Sequence, residues 1–406
     1  MSNNINKTGI WLIGALGDIS TTLILGKLGI EKGITSNVGL VSETNPFNQL
    51  GLTKLDNIIV GGQDIRDTDL SQSVERLYRS SKTVSRELID ECEQDISEIS
   101  QRFVVAPELA WQMTADAGIG LSLTEMVTQQ RKVLRNFIES QDLSHLVVVN
   151  LTSAEPLPKP SAEINTLDGF EKLIAENQKA CVAPSMLYAY CAFLENCSHV
   201  NFTPNLGASI PALSELSKKQ QVPHCGNDGK TGETLVKTAL APMFTCRNLQ
   251  VMTWQGYNML GNGDGKTLSV PENRESKIDN KSTVLENMLG YTPHSDVAID
   301  YVPSLGDWKT AWDLIHFKGF LDVPMTMQFT WQGCDSVLAA PLVLDMVRFC
   351  EFAARHGESG EMQHLASFFK KPLGTDEMAL YSQFELLLKY AIGHLEKSGT
   401  HVKKVS

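Results

Sequence analysis

An apolar run that ends in a glycine turn and leads into a helix opens this chain and restricts its fold most strongly. Residues 9–14 form the run, and residues 18–28 have a helical pattern with Ser and Thr near the start. Strand, glycine turn and helix in this order are the first unit of a doubly wound parallel sheet. We therefore expect an α/β fold with a ligand site beside this turn.

The rest of the chain divides into a region in which predicted strands and helices alternate and a region in which predicted strands are followed by predicted helices. Alternation predicts a parallel sheet up to about residue 230. The predicted strands there are residues 57–62 and 143–151, and the predicted helices are residues 84–103 and 122–140. Farther on, the predicted strands are residues 249–256, 296–301 and 325–331, and the predicted helices are residues 337–354, 360–369 and 376–395.

Composition restricts the class of partner. The chain has 406 residues, 42% of them hydrophobic, and a formal net charge of −12. This charge disfavours nucleic acid as a partner, so an anionic substrate requires a local cationic pocket. No CxxC pair occurs among the eight cysteines, and no apolar run is long enough to span a bilayer. We expect reduced thiols and a cytoplasmic protein without a membrane segment.

The glycine turn is a candidate cofactor site. Gly14 and Gly17, followed by Ser20 and Thr21, would let the backbone and the helix amides approach a pyrophosphate. Leu16 and Ile19 interrupt the dinucleotide pattern, so an ordinary strand–helix turn is an equal alternative. Three residues that follow other predicted strands are added as cofactor candidates: Asp64, Thr152 and Ser153.

Lysines near a glycine-rich segment indicate a site that stabilises negative charge. Lys277 and Lys281 follow the run at residues 257–265, and Lys309 follows Gly306 and Asp307. Fixed ammonium groups suit chemistry that builds charge on oxygen, such as an enolate or a phosphate. An isolated lysine of this kind is more often a solvated surface group.

Two Gly-Lys-Thr triplets suggest a phosphate site but not a triphosphatase. The nucleoside-triphosphate loop needs a glycine where this chain has His224 and Leu260. A helix start after Lys230 could still bind one phosphate through backbone amides, with Thr231, Gly232 and Thr234 as candidates.

Assembled in order, these segments resemble the myo-inositol-1-phosphate synthase family. The resemblance covers most of the chain and rests on six motifs in the family's order. They are residues 226–234, 257–265, 276–283, 305–309, 334–341 and 367–373.

The resemblance implies an NAD-dependent isomerase that cyclises D-glucose 6-phosphate to 1D-myo-inositol 3-phosphate. Oxidation, enolisation, intramolecular aldol addition and reduction would follow one another without net redox change. By family position, the implied catalytic residues are Lys277, Lys281, Lys309, Lys370, Asp228 and Asp335. The implied cofactor contacts include Asp228, Asn262, Asp307 and Asp335, and the implied substrate contacts include Asn258, Asn262 and Lys281. No metal ligand is expected, and the neighbouring Lys371 is a less favoured alternative to Lys370.

The family fold implies a discontinuous architecture. We expect a Rossmann-type NAD-binding domain at residues 1–234 and 339–406, and an α+β catalytic and oligomerisation domain at residues 235–338. A homotetramer acting on a sugar phosphate is implied, in inositol and phospholipid biosynthesis.

Departures from the family pattern leave alternatives open. Glu233 replaces a family Gln, and Glu275 stands where eukaryotic relatives have Arg. A related cyclase for another sugar phosphate, a non-catalytic NAD sensor and a simple dehydrogenase are therefore retained. Asp335 has a further alternative role as the cap of the following helix.

Overall fold

The fold contains two sheets joined by helices. A computed structural model describes residues 6–107, 120–261 and 285–399. The strands of the first sheet are β1 (Thr8–Ile13), β2 (Ile58–Asp64), β3 (Phe103–Val105), β4 (His145–Asn150), β5 (Ser198–Asn201), β6 (Pro223–Cys225) and β11 (Gly360–Glu361). The helices between them are α1 (Asp18–Glu31), α2 (Leu70–Ser81), α3 (Arg86–Glu91), α4 (Glu93–Ser100), α5 (Leu123–Gln141), α6 (Leu167–Ala175), α7 (Pro184–Leu194) and α8 (Pro211–Lys219).

The first sheet has the doubly wound dinucleotide topology. Its strand order is β3-β2-β1-β4-β5-β6-β11, and every registered pair is parallel. The order reverses direction between β1 and β4, where ligands bind in such sheets. The predicted α/β fold with a parallel sheet is confirmed.

Apolar packing on both faces explains why the central strands form. All six residues of β1 are buried, and β4 is buried from its second residue onward. One apolar cluster contains residues of α1 and of the later helix α10 (Asp335–Arg355), and the other contains residues of α5, α7 and α8. A strand covered on both sides reads as a continuous apolar run, which is what the sequence shows.

The second sheet is mixed. Helix α9 (Gly232–Cys246) leads into it, and α10 and α11 (Leu380–Lys397) follow it. Its strands are β7 (Gln250–Leu260), β8 (His294–Tyr301), β9 (Trp308–Lys318) and β10 (Pro324–Cys334), in the order β10-β9-β7-β8. Only β7 and β8 run parallel; β9 is antiparallel to both of its neighbours.

Three sequence expectations were wrong in detail. The helix predicted at residues 84–103 is two helices, α3 and α4, with Cys92 between them. The helix predicted at residues 360–369 is strand β11 followed by the 3-10 helix Gln363–Phe368, because Gly360 pairs with β6. Strand β9 was not predicted at all.

Within residues 6–107, 120–261 and 285–399, no helix is long and apolar enough to cross a membrane.

Buried histidines lie in the core of the first sheet. His199 and His224 are fully buried, and neither ring of the pair has a hydrogen-bond partner among the described residues. Burial lowers the pKa of each imidazole to about 3. The unfolded chain takes up protons on these rings below about pH 6.5, whereas the folded chain does not. Their contribution to stability is therefore present above that pH and is lost as the pH falls.

Replacing one of these rings should flatten the pH dependence of stability. Between about pH 7.5 and pH 5, the His224→Leu variant should gain about 2 kcal/mol of unfolding free energy relative to the unmodified protein. Urea denaturation at both pH values measures this difference. His294→Gln, at the exposed start of β8, is the control and should leave the slope unchanged. An equal slope in His224→Leu would contradict the assignment.

Candidate functional site

A cavity of about 730 Å³ lies where the first sheet meets the second. Its lining comes from the carboxyl ends of β1 and β2, the segment after β4, the start of α9, strands β7 and β9, and the start of α10. The sequence-predicted residues that line it are Gly14, Gly17, Ser20, Asp64, Thr152, Ser153, Asp228, Thr231, Thr234, Asn258, Asp307, Lys309, Asp335 and Lys370.

Of the predicted residues that the structure describes, two are not in this lining. Thr21 is buried and its hydroxyl donates to the Gly17 carbonyl, so its side chain is used within α1. Gly232 lies just behind the lining, with a φ of 58° and its missing Cβ position 3.6 Å from Lys309 Nζ. Asn262, Lys277 and Lys281 lie outside the described residues.

The turn after β1 is shaped for close approach of a ligand. Gly14 has a φ of 88°, and a Cβ there would lie 3.0 Å from the Leu151 carbonyl oxygen. Leu16, which interrupts the glycine pattern, points its side chain into the core and is only 2% exposed. Since the first-turn residues Asp18, Ile19 and Ser20 face the cavity, the α1 amides are available to a phosphate. These features fit a bound dinucleotide.

Asp64 is more heavily engaged than a ribose-binding carboxylate should be. Its Oδ2 accepts from the Leu16 amide at 2.9 Å, and the Arg66 guanidinium binds both oxygens at 2.9 Å. Burial raises the pKa of Asp64, but the hydrogen bonds and charge of Arg66 outweigh it and leave the pKa below its ordinary value.

Lys370 and Asp228 meet although 142 positions separate them in the chain. Lys370 Nζ lies 2.8 Å from Asp228 Oδ1. The backbones are joined directly, since the Lys370 amide donates to the Asp228 carbonyl at 2.7 Å and the Asn227 amide donates to the Lys371 carbonyl at 2.7 Å. The ammonium group is therefore placed by the main chain and not only by its ion pair.

Lys309 lines the cavity from the second sheet. It is the second residue of β9, and its Nζ lies 3.9 Å from Asp335 Oδ2. Asp335 is the first residue of α10, and Cys334 occupies the cap position, so the alternative that Asp335 caps the helix was wrong. The neighbouring Asp307 is buried and accepts from Cys334 Sγ at 2.8 Å and from the Ser336 hydroxyl. Burial raises the pKa of Asp307 above its ordinary value.

Glu233 also lines the cavity, and both of its carboxylate oxygens contact neighbouring buried side chains. Its Oε1 lies 2.5 Å from Lys237 Nζ, and its other oxygen accepts from the Asn258 amide. Lys237 Nζ also lies 3.8 Å from Asp313 Oδ1, which accepts from the Trp254 indole at 2.8 Å. All five side chains are at most 2% exposed. The negative charge of Glu233, the residue that departs from the family pattern, is thus paired with Lys237 of the same helix.

Sequence reasoning missed Lys237 and Arg66. A signal existed for both, because Lys237 follows Glu233 by one helical turn and Arg66 follows Asp64 by two residues. The described part of the chain holds no group of three or more His, Cys, Asp or Glu side chains arranged to bind a metal ion.

Comparison with known proteins identifies relatives along nearly the whole chain. Residues 8–390 match the family described as myo-inositol-1-phosphate synthase. Inositol-3-phosphate synthase 1 of Bacteroides thetaiotaomicron is 32% identical over 419 residues, covering 96% of each chain. Inositol-3-phosphate synthase of Dictyostelium discoideum is 26% identical, covering 86% of this chain and 75% of its own.

Solved structures show the same fold at lower identity. Inositol-3-phosphate synthase from Caenorhabditis elegans superposes with a TM-score of 0.82 at 22% identity, covering 99% of this chain and 90% of the other. A myo-inositol-1-phosphate synthase-related protein from Thermotoga maritima gives a TM-score of 0.79 at 21% identity, covering 98% and 100%.

Removing the ammonium group beside Glu233 should be costly. Lys237→Met leaves buried carboxylates without this cation and should lower the free energy of unfolding by about 3–5 kcal/mol. The double variant Glu233→Gln/Lys237→Met should lose clearly less than the sum of its single changes. Chemical denaturation of the three variants measures the coupling.

An exposed lysine pair with the same spacing is the matched control. Lys389 and Glu385 lie 3.5 Å apart on the surface of α11, so Lys389→Met should change stability little. Additive losses in the Glu233 and Lys237 series would show that the two side chains do not compensate each other.

Proposed function

The chain belongs to the myo-inositol-1-phosphate synthase family, and from this premise we propose that it is an inositol-3-phosphate synthase that cyclises D-glucose 6-phosphate to 1D-myo-inositol 3-phosphate. One observation supports the proposal above the others. Two lysines from distant segments, Lys309 and Lys370, line the same cavity as the glycine turn of the dinucleotide fold. A sugar between them would face both cations and the cofactor site.

NAD is the cofactor, and when bound it would supply the hydride acceptor and donor for oxidation and later reduction at carbon 5 of the sugar. The turn at Gly14 and Gly17 and the first-turn amides of α1 would hold its pyrophosphate. Thr152 and Ser153, after β4, lie at the topological switch point and would contact it from the other side. Asp307 and Asp335 would contact the cofactor and orient the neighbouring lysine side chains.

The sugar phosphate would bind at the start of α9. Thr231 occupies the cap position, but its hydroxyl makes no capping hydrogen bond, so it is available to a ligand. Thr234 and the amide of Gly232 lie beside it, and Lys309 Nζ is close to Gly232. A helix N-terminus joined to an ammonium group favours a phosphate. Asn258, whose amide donates to Glu233, would present its carbonyl oxygen to a sugar hydroxyl.

The lysines would stabilise the oxyanions of the reaction. Proton loss from carbon 6 gives an enolate, and its attack on the aldehyde at carbon 1 gives an alkoxide. Fixed ammonium groups in a site that excludes water stabilise such charges because they need little reorganisation. We assign this role to Lys309 and Lys370, with Asp228 positioning Lys370. Lys277 and Lys281 complete the proposed set, and Asn262 is a proposed contact of cofactor and substrate.

Glu233 does not by itself favour a different substrate. Its carboxylate is engaged by Lys237 and Asn258, so a phosphate at α9 need not meet an uncompensated negative charge. The cyclase for another sugar phosphate therefore has no specific structural support.

The proposed domain division follows the two sheets. The first sheet takes its strands from residues 8–225 and 360–361, and the second from residues 250–334. These limits support a cofactor domain at residues 1–234 and 339–406 and a catalytic domain at residues 235–338. Exposed apolar residues at the β9–β10 end, Phe320, Leu321, Val323 and Met325, support assembly through the second sheet into a homotetramer. A cytoplasmic location completes the proposal.

Lys309→Ala should nearly abolish turnover and leave NAD affinity unchanged. Loss of one fixed oxyanion contact costs on the order of 100- to 1000-fold in kcat. The assay incubates purified protein with glucose 6-phosphate and catalytic NAD and detects the cyclitol phosphate by NMR and mass spectrometry.

Lys318→Ala, at the far end of the same strand, is the control and should retain full activity. Absence of any cyclitol phosphate from the unmodified protein would refute the synthase proposal. Net accumulation of NADH would instead indicate a dehydrogenase, and a Lys309→Ala variant with normal turnover would remove Lys309 from the mechanism.

A further inference from the structure

The carboxylate at the end of β2 has little acceptor capacity left. Asp64 Oδ1 accepts from the Arg66 amide at 3.1 Å and from Arg66 Nε at 2.9 Å. Its Oδ2 accepts from the Leu16 amide and from Arg66 NH2, each at 2.9 Å. Two carboxylate oxygens provide about four lone-pair positions, and four donors occupy them. A ribose hydroxyl pair would have to displace one of these donors.

Arg66 lines the cavity and retains N–H donors that Asp64 does not use. Nε and NH2 face Asp64, whereas NH1 and the second hydrogen of NH2 have no acceptor among the described residues. The Arg66 side chain is 41% exposed and the residue lines the cavity. A guanidinium group carries five N–H donors in a planar fork. It can therefore bind Asp64 with one edge and a phosphate with the other.

The position of Asp64 and Arg66 at the end of β2 indicates which part of a dinucleotide the unused N–H donors of Arg66 would contact. In a dinucleotide fold, the residue at the end of the second strand faces the 2′-hydroxyl of the adenosine ribose. A free carboxylate there repels a 2′-phosphate, whereas a nearby arginine accommodates it. Asp64 is neutralised by Arg66, and the next carboxylate along the cavity, Asp18, is paired with Arg76 at 3.2 Å. No uncompensated negative charge from these two residues faces the ribose.

We propose that Arg66 lets this chain bind NADP as well as NAD, by holding the 2′-phosphate with the guanidinium edge that Asp64 leaves open. The inference rests on the cofactor site of the proposed function and extends it to a second class of dinucleotide. It concerns binding and does not require that NADP support cyclisation.

Calorimetric titration of the full chain, freed of bound nucleotide, with NAD+ and with NADP+ tests the proposal. The Kd for NADP+ should lie within about tenfold of the Kd for NAD+. Arg66→Gln should weaken NADP+ binding by about tenfold or more, the scale of a lost charge-assisted contact, and should change NAD+ binding much less. Arg79→Gln is the matched control, because Arg79 lies on α2, pairs with Glu75 and is 77% exposed.

Each outcome decides the question. A Kd for NADP+ more than tenfold above that for NAD+ overturns the proposal, as does an Arg66→Gln variant with an unchanged ratio of the two constants. In both cases NAD+ binding would leave the proposed function intact. Failure of the unmodified protein to bind either nucleotide would overturn both the inference and the cofactor assignment on which it rests.

Discussion

A short backbone ladder between two distant segments determines the geometry of the site. Residues 227–230 and 368–371 exchange main-chain hydrogen bonds, among them Lys230 N to the Phe368 carbonyl at 2.8 Å and Lys371 N to the Asn227 carbonyl at 3.1 Å. The first segment connects the three-residue strand β6 to α9, and the second lies where the chain has returned to the first sheet after the second sheet. Because backbone hydrogen bonds fix position more strictly than long side chains do, Lys370 is held opposite Asp228 by the fold itself.

The second constraint on the site is the pairing of its carboxylates with cations, which matters because the chain as a whole is acidic. A protein with a net charge of −12 repels an anionic substrate at long range. The cavity offsets this repulsion in part because three of its carboxylates have a nearby cation: Asp64 has Arg66, Asp228 has Lys370, and Asp335 has Lys309 at 3.9 Å. Asp307 is held instead by Cys334 and Ser336, and burial raises its pKa. An incoming phosphate or oxyanion can then compete with these three carboxylates for their cations. Glu233 fits this pattern, because its buried carboxylate is paired with the ammonium group of Lys237.

Three adjacent strands of the seven in the first sheet could be predicted from sequence, and the reasons for the failures are physical. Continuous apolar runs predicted β1, β2 and β4 because both faces of these strands are covered. Strand β9 has polar residues such as Lys309 and Asp313 between its apolar ones, so it lacks the continuous apolar run that marks a strand buried on both faces. The short strand β11 exists only because Gly360 pairs with β6, and such a tertiary contact leaves no local pattern. Among site residues, Lys309 and Lys370 could be predicted through resemblance, whereas Arg66 and Lys237 needed the partner geometry.

The glycine turn shows why a broken motif need not mean a lost site. Gly14 requires glycine because its φ is positive and a Cβ there would lie 3.0 Å from the Leu151 carbonyl oxygen, and a Cβ at Gly17 would lie 3.1 Å from the Gly14 carbonyl oxygen. Leu16 can replace a glycine since its side chain leaves the cavity for the core, and its amide is put to use in holding Asp64. That amide also helps to fill the acceptors of Asp64 and thereby leaves Arg66 as the group with spare capacity at the ribose end. Because a glycine at this position would supply the same amide, the departure from the sequence pattern leaves this part of the cofactor site unchanged.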